Sequence, residues 1–180
     1  MLVASPELAR ARVDRAEEFF LAECHAQVCA GDTGLHAAAF AYDITLARQL
    51  VAVGAPVRAR NRRGAEPLHA ATIGVPGSSN WHPQRQAEVI AYLVEAGADP
   101  NATAVGGITP LHRAVRNRCS AAVQALLNAG ADPHATNDSG STALTLAHWT
   151  TGRGGAGSPE AKIEQEHIVR MLTAVVGPRR

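Results

Sequence analysis

The stretch GITPLH, residues 107–112, and the apolar run that follows it indicate how the chain is built. Gly107 can adopt the positive φ that a tight turn needs. Thr109 and Pro110 are typical of a helix start, because threonine caps the first turn and proline suits the first helical position. A second run with helical spacing extends from Ser120 to Asn128. The stretch therefore predicts a turn, two short helices and another turn within about 33 residues, a known repeat period.

This unit recurs along the chain. Comparable helix starts occur at Thr33, Glu66, Thr109 and Thr142, so the steps between them are 33, 43 and 33 residues. A closing glycine-alanine element recurs at 54–56, 97–101 and 130–133. Over roughly residues 31–177 the pattern resembles the ankyrin-repeat family. The resemblance implies an all-α fold, an ankyrin-repeat solenoid of stacked helix-turn-helix units with projecting β-turn loops.

The spacing predicts four repeats flanked by caps, since solenoids need terminal units with one polar face. The predicted units are an N-terminal capping helix at 1–30, repeats at 31–60, 61–103 and 104–136, a fourth repeat and C-terminal cap at 137–177, and a tail at 178–180. Repeat two carries a predicted insertion near 74–83 and repeat four another near 151–159, each between its helices. Ser5 and the apolar residues from Leu8 to Phe20 predict one helix reaching about Ala26, with partner binding as the alternative role.

Composition favours no particular class of charged partner. The formal net charge is +1, although the chain has 16 arginines and one lysine; coding bias of a GC-rich genome explains that excess better than selection for carboxylate contacts. Cys24, Cys29 and Cys119 show neither a disulfide framework nor zinc spacing, which favours reduced thiols. We see no signal-peptide pattern and no apolar segment of about 20 residues. These features predict a cytoplasmic protein.

No residues at catalytic or metal-ligand spacing stand out, so we expect no enzyme activity, no cofactor and no metal site. The glycine run at 152–157 lacks the Gly-Lys-Ser/Thr ending of a phosphate loop. His36, His69 and His112 occupy the same place in three repeats. Their match to the family pattern implies a structural role, in which each histidine ties neighbouring turns together by hydrogen bonds.

The family resemblance implies that partners bind a concave strip formed by the projecting loops and one side of each first helix. The four arginines of the first loop are the densest charge cluster of the chain, and Trp81 lies in the predicted insertion. Trp81 is interpreted either as a partner anchor or as a side chain that pins its own loop. Carried over by position, the candidate partner-binding residues are Arg58, Arg60, Arg62, Arg63, Phe40, Ile73, Trp81, Val105, Ile108, Arg116, Asn117, Asp138, Ser139, Ser141 and Trp149.

These features favour a non-catalytic, monomeric protein-binding module whose arginine loop contacts an acidic patch of a protein partner. One alternative is nucleic-acid binding through the Arg58 to Arg63 cluster, although four arginines are a small footprint. Another is an accessory or immunity factor that binds and regulates an enzyme. Replacing Arg60, Arg62 and Arg63 with glutamate should abolish partner binding and leave the melting temperature nearly unchanged.

Overall fold

The computed structural model describes residues 6–14, 20–21, 26–27, 29–149 and 158–177. The regular elements in these ranges are helices joined by loops, apart from one short antiparallel hairpin in which Phe20 lies opposite Gln27. The elements are α1 (Pro6–Arg10), β1 (Phe20–Leu21), β2 (Ala26–Gln27), α2 (Gly34–Phe40), α3 (Ile44–Ala52), α4 (Pro67–Ala71), α5 (Pro83–Glu95), α6 (Pro110–Arg116), α7 (Ser120–Asn128), α8 (Ala143–His148) and α9 (Pro159–Val176).

The helices pack as successive pairs, α2 with α3, α4 with α5, α6 with α7 and α8 with α9. First helices contact first helices of the neighbouring pair, and second helices contact second helices. Leu35, Leu68 and Leu111 occupy equivalent places in three first helices and are at most 1% exposed. Around them lie many buried alanines, which let short helices approach closely. The architecture is the all-α solenoid that the sequence predicts.

The projecting loops at 61–65, 104–108 and 137–141 stack through backbone hydrogen bonds. The N–H of Arg62 donates to the carbonyl of Ala30, Val105 to Arg63, and Asp138 to Gly106, at 2.8 to 3.0 Å. At Gly107, φ is +65° and a Cβ would lie 2.6 Å from Oδ1 of Asp138. Only glycine fits there, because the next loop passes against its α-carbon.

The predicted N-terminal helix is much shorter than expected. It ends at Arg10 instead of continuing to about Ala26. The N–H of Val13 donates to the carbonyl of Asp32 and its carbonyl accepts from Gly31, so this segment pairs with the start of the first repeat. Tertiary hydrogen bonds have overridden the helical pattern. Ala9 is nevertheless buried, and Arg10 donates to the carbonyl of Gly54, so the segment covers the end of α2 and α3.

The remaining bounds lie close to expectation. Residues 72–82 form a loop between α4 and α5, where the insertion of repeat two is predicted. The helix start at Ser5, most of the insertion near 151–159 and the tail at 178–180 lie outside the described residues. The division of the chain into the named units stays a prediction.

Candidate partner-binding surface

Three buried histidines link successive helix pairs. Nδ1 of His36, His69 and His112 accepts the backbone N–H of the residue three positions earlier, at 3.1 to 3.3 Å. Nε2 of each ring lies 3.0 to 3.1 Å from a carbonyl of the next projecting loop. A carbonyl only accepts, so these contacts assign the proton to Nε2 and make each ring a neutral cross-link between repeats. In repeat four Thr145 replaces the histidine, and its hydroxyl lies 3.1 Å from that of Thr142.

Burial keeps these rings neutral. It lowers the pKa of His69 to about 4, assisted by the positive charge of Arg113. Burial likewise lowers the pKa of His36 and His112 from the usual value. Protonation of Nδ1 would break the bond to the helix start, whereas the Nε2–H bond to the next loop can form in either protonation state.

The helix start of repeat two differs from the others because Glu66 stands where they have threonine. Its side chain is 1% exposed. Nε of Arg60 donates to Oε1 of Glu66 at 3.3 Å, and Nε of Arg58 lies 3.6 Å from Oε2. Arg58 also donates to Asp99 at 3.2 Å. A buried carboxylate needs such partners, so Arg58 and Arg60 stabilise the fold through Glu66.

The other two arginines of this loop point elsewhere. Arg62 and Arg63 are exposed, and their side chains make no hydrogen bond or ion pair within the described part of the chain. Their backbone is held in place, because Oδ1 of Asn61 accepts from Arg63 and Ala65 at 2.9 and 3.0 Å. We call Arg58 and Arg60 the inner pair, and Arg62 and Arg63 the outer pair.

A groove of about 1250 Å³ runs along the projecting loops and the first helices from repeat two to repeat four. Its lining includes the arginines Arg63, Arg113, Arg116 and Arg118, and, among the residues that the structure describes, no aspartate or glutamate. Exposed apolar side chains flank them: Val105 is 73% exposed and Trp149 is 59% exposed. The concave surface is therefore basic and partly apolar.

Arg113 lies at the junction between this groove and a smaller cavity of about 330 Å³ near the N-terminal segment. It is half-buried, whereas Arg116, one helical turn later on the same face, is exposed. Burial lowers the pKa of the Arg113 guanidinium; the charges of Arg63 and Arg116 also lower it, whereas those of Cys29 and Asp32 oppose the shift. The guanidinium remains protonated at neutral pH. Its positive charge is thus held in a partly desolvated position beside two other cations.

Trp81 pins the insertion of repeat two. Its indole N–H donates to Oε1 of Gln86 at 3.1 Å, and its ring packs against the core. The buried amide of Gln86 in turn donates to the carbonyl of Ala71 at 2.9 Å. The hydroxyl of Tyr42 donates to the carbonyl of Ile73 in the same loop. This network gives Trp81 a structural role, the second of its two interpretations.

The remaining predicted residues divide by exposure. Ser141 lines the groove but is only 5% exposed, because its carbonyl accepts from His112 and its N–H donates to Asn137. Asn117 is half-buried, and its amide donates to the carbonyl of Thr72. The other half-buried candidates are Phe40, Ile73 and Ile108, and the exposed ones are Arg116, Asp138, Ser139, Val105 and Trp149.

Sequence reasoning missed Arg113 and Glu66. Arg113 directly follows His112, and only its spacing of three from Arg116 signals that both face the groove. Glu66 had a clearer signal, since it is the one charged residue among the four helix starts. A charge at a position that is otherwise threonine calls for a counterion, and the nearest arginines precede it in the same loop.

Metal-binding clusters and membrane-spanning helices are absent from the described residues. No cluster of His, Cys, Asp or Glu in those ranges has the geometry of a metal site. Among the helices described, none has the length and apolar character needed to span a membrane. Cys119 is buried, which raises the pKa of its thiol to about 12, so this thiol is unreactive near neutral pH.

Stacked helix pairs, projecting loops and histidine cross-links define a helical repeat protein with a groove along its loops and first helices. A family profile described as ankyrin repeats in many copies matches residues 85–147. The chain is similar to mouse (Mus musculus) ankyrin repeat and SOCS box protein 16, with 43% identity over 68 residues. That match covers 37% of this chain and only 14% of the relative. These matches support ankyrin repeats at residues 85–147, and the described helix pairs on both sides of that range pack in the same way.

Proposed function

We propose that this protein is a non-catalytic binding module that holds a partner protein in its concave groove. Ankyrin repeats generally mediate protein–protein interactions and are typically non-catalytic. The observation that carries the proposal is the open groove, where Val105 and Trp149 expose apolar surface beside several arginines. Exposed aromatic and arginine side chains are the residues that most often dominate binding energy.

The groove is built as a rigid surface on which a partner could bind. The loops that form one wall are joined to one another by backbone hydrogen bonds, and the histidines fix the spacing of the repeats. A preformed surface loses little conformational entropy when a partner docks. We propose that the outer pair supplies the loop contacts to acidic groups, while the inner pair stays with Glu66. We also propose that the protein is cytoplasmic and monomeric. The composition and the cysteine pattern support this part of the proposal.

Nucleic-acid binding through the arginine loop is less well supported. Affinity for phosphate backbones scales with the number of cations that contact them. The inner pair faces Glu66, so only Arg62 and Arg63 of this loop are free to make such contacts. A role as an accessory or immunity factor would use the same groove, with an enzyme as the partner.

Affinity purification from the native host tests the proposal. The wild-type chain should retain a protein that Val105→Asp with Trp149→Ala fails to retain, while all variants melt at similar temperatures. Val175→Asp is the matched control, since Val175 is exposed on α9 outside the groove. A protein that binds the groove variant as well as the wild type would contradict the proposal.

A further inference from the structure

The positive charge of the groove is concentrated at Arg63, Arg113 and Arg116. Arg113 and Arg116 are three residues apart on α6, and Arg63 belongs to the loop stacked against the loop that precedes this helix. All three line the same groove. Arg113 and Arg116 lie in the last turn of α6, where a positive charge interacts favourably with the helix dipole. This interaction accounts for only part of the cluster. That effect needs neither burial of Arg113 nor the presence of Arg63.

The carboxylate that shares a cavity with Arg113 is already engaged. Asp32 lines the smaller cavity with Arg113. Its Oδ1 accepts from Asn61 at 2.8 Å and its Oδ2 from the N–H of Cys29 at 2.6 Å. Within the described ranges the guanidinium of Arg113 makes no hydrogen bond or ion pair. Half-burial removes part of its hydration, so an arriving anion gains more here than at a fully exposed arginine.

We propose that the groove binds an extended acidic segment of a partner protein, in which one carboxylate pairs with Arg113 and an apolar residue packs against Trp149. This inference rests on the proposed function and specifies its ligand. A planar guanidinium holds a carboxylate through two parallel hydrogen bonds, which sets position as well as charge. Arg63 and Arg116 accommodate neighbouring carboxylates, and the absence of lining acids in the described chain removes a source of repulsion.

The apolar wall favours a polypeptide over a nucleic acid. Val105 and Trp149 expose large apolar areas along the same groove as the arginines. Alternating acidic and apolar side chains of an extended peptide match such a surface. A nucleic-acid site of similar length would need more cations along its path, and the net charge of the whole chain is only +1.

A phage-displayed library of short linear peptides tests the inference. Selection on the full-length protein should enrich peptides that carry aspartate or glutamate near an apolar residue. Their affinity should fall about tenfold or more for Arg113→Gln, because charge-assisted hydrogen bonds are lost, and less for Arg113→Lys. Arg85→Gln is the matched control, since Arg85 is exposed on α5 outside the groove lining. Thermal melting of each variant separates lost binding from lost folding.

The outcomes distinguish this inference from the proposed function. Acid-poor peptides that need Trp149 but not Arg113 would overturn the inference and leave a peptide-binding groove. Enrichment of no peptide, or of peptides indifferent to both residues, would count against both. Single-stranded RNA that binds more tightly than any selected peptide and needs Arg113 would replace the acidic segment with a nucleic acid.

Discussion

The second and third repeats begin their first helices at the same place with different chemistry. Thr109 is a neutral cap whose hydroxyl accepts from the N–H of His112. The backbone N–H of Glu66 donates to Nδ1 of its histidine, as that of Thr109 does, but the buried carboxylate of Glu66 depends on two arginines of the preceding loop. The glutamate at this helix start therefore divides the arginines of the loop into an inner pair that contacts its carboxylate and an outer pair that does not.

The strongest test of this comparison removes the inner pair. Arg58→Gln with Arg60→Gln should lower the free energy of unfolding by about 3 to 4 kcal/mol, because a buried charge loses its partners. Adding Glu66→Thr, which copies the helix start of repeat three, should restore most of that stability. Urea unfolding of the four variants in this cycle measures the coupling. If removing the arginines costs the same with and without the Glu66→Thr change, they do not serve the carboxylate.

Acid should destabilise the fold at its buried histidines. Folded protein keeps His69 neutral down to about pH 4, whereas the unfolded chain protonates it near the usual histidine pKa of 6.5. The unfolded state therefore binds more protons between these values, so stability falls as pH drops through this window. At the acid end of this window, the contribution of His69 should have lowered the free energy of unfolding by about 3 kcal/mol.

Urea unfolding from pH 7 to pH 5 measures the upper part of this fall, where few carboxylates titrate. His69→Gln should be less stable at pH 7 and show a flatter profile. His112→Gln provides the comparison in repeat three, where burial also lowers the histidine pKa. A profile for His69→Gln as steep as that of the wild type would assign the acid sensitivity to other groups.

The projecting loops at Gly64 and Gly107 should also respond differently when a methyl group is added to the glycine. Gly64 and Gly107 both have positive φ, so alanine at either position costs about 1 kcal/mol or more. A Cβ on Gly64 would meet its nearest neighbour at 3.6 Å, whereas one on Gly107 would lie 2.6 and 2.8 Å from two atoms of Asp138. Gly107→Ala should therefore lose about twice as much stability as Gly64→Ala in thermal or urea unfolding. Equal losses would mean that the stacked loops move apart easily.

Removing the outer pair should have the smallest effect on stability. Arg62→Gln with Arg63→Gln should change the free energy of unfolding by less than about 0.5 kcal/mol, since exposed substitutions away from a network rarely do more. The loop itself is held by backbone bonds and Asn61, which these changes leave in place. A loss comparable to that of the inner pair would remove the distinction between them. Calorimetric melting at matched ionic strength provides the measurement.

Local patterns predicted the repeated architecture well because the same signals recur. Thr109-Pro110 and Ser158-Pro159 mark helix starts where the structure has them, and the run from Ser120 to Asn128 is a helix over that range. The segment after Arg10 could not be predicted in this way. Val13 has the spacing of a helical residue, yet its backbone pairs with residues 31 and 32, a contact that no local pattern encodes.

The candidate surface was predictable in outline only. Val105 and Trp149 are exposed and Ser141 is almost buried between the stacked loops, yet all three line the groove, so their role in binding stays a prediction. The role of the inner pair depends on where the Glu66 side chain points, and that becomes visible only in three dimensions. Arg113 went unnoticed because its neighbours Arg63 and Asp32 come from other parts of the chain.

The most direct test of the account compares peptide binding by two folded variants. One carries Glu66→Thr, Arg58→Gln and Arg60→Gln, and the other carries Arg62→Gln and Arg63→Gln. Fluorescence polarisation with a selected acidic peptide should give wild-type affinity for the first variant and clearly weaker binding for the second. The reverse result, weaker binding for the inner-pair variant alone, would contradict the division of the arginines into structural and binding pairs.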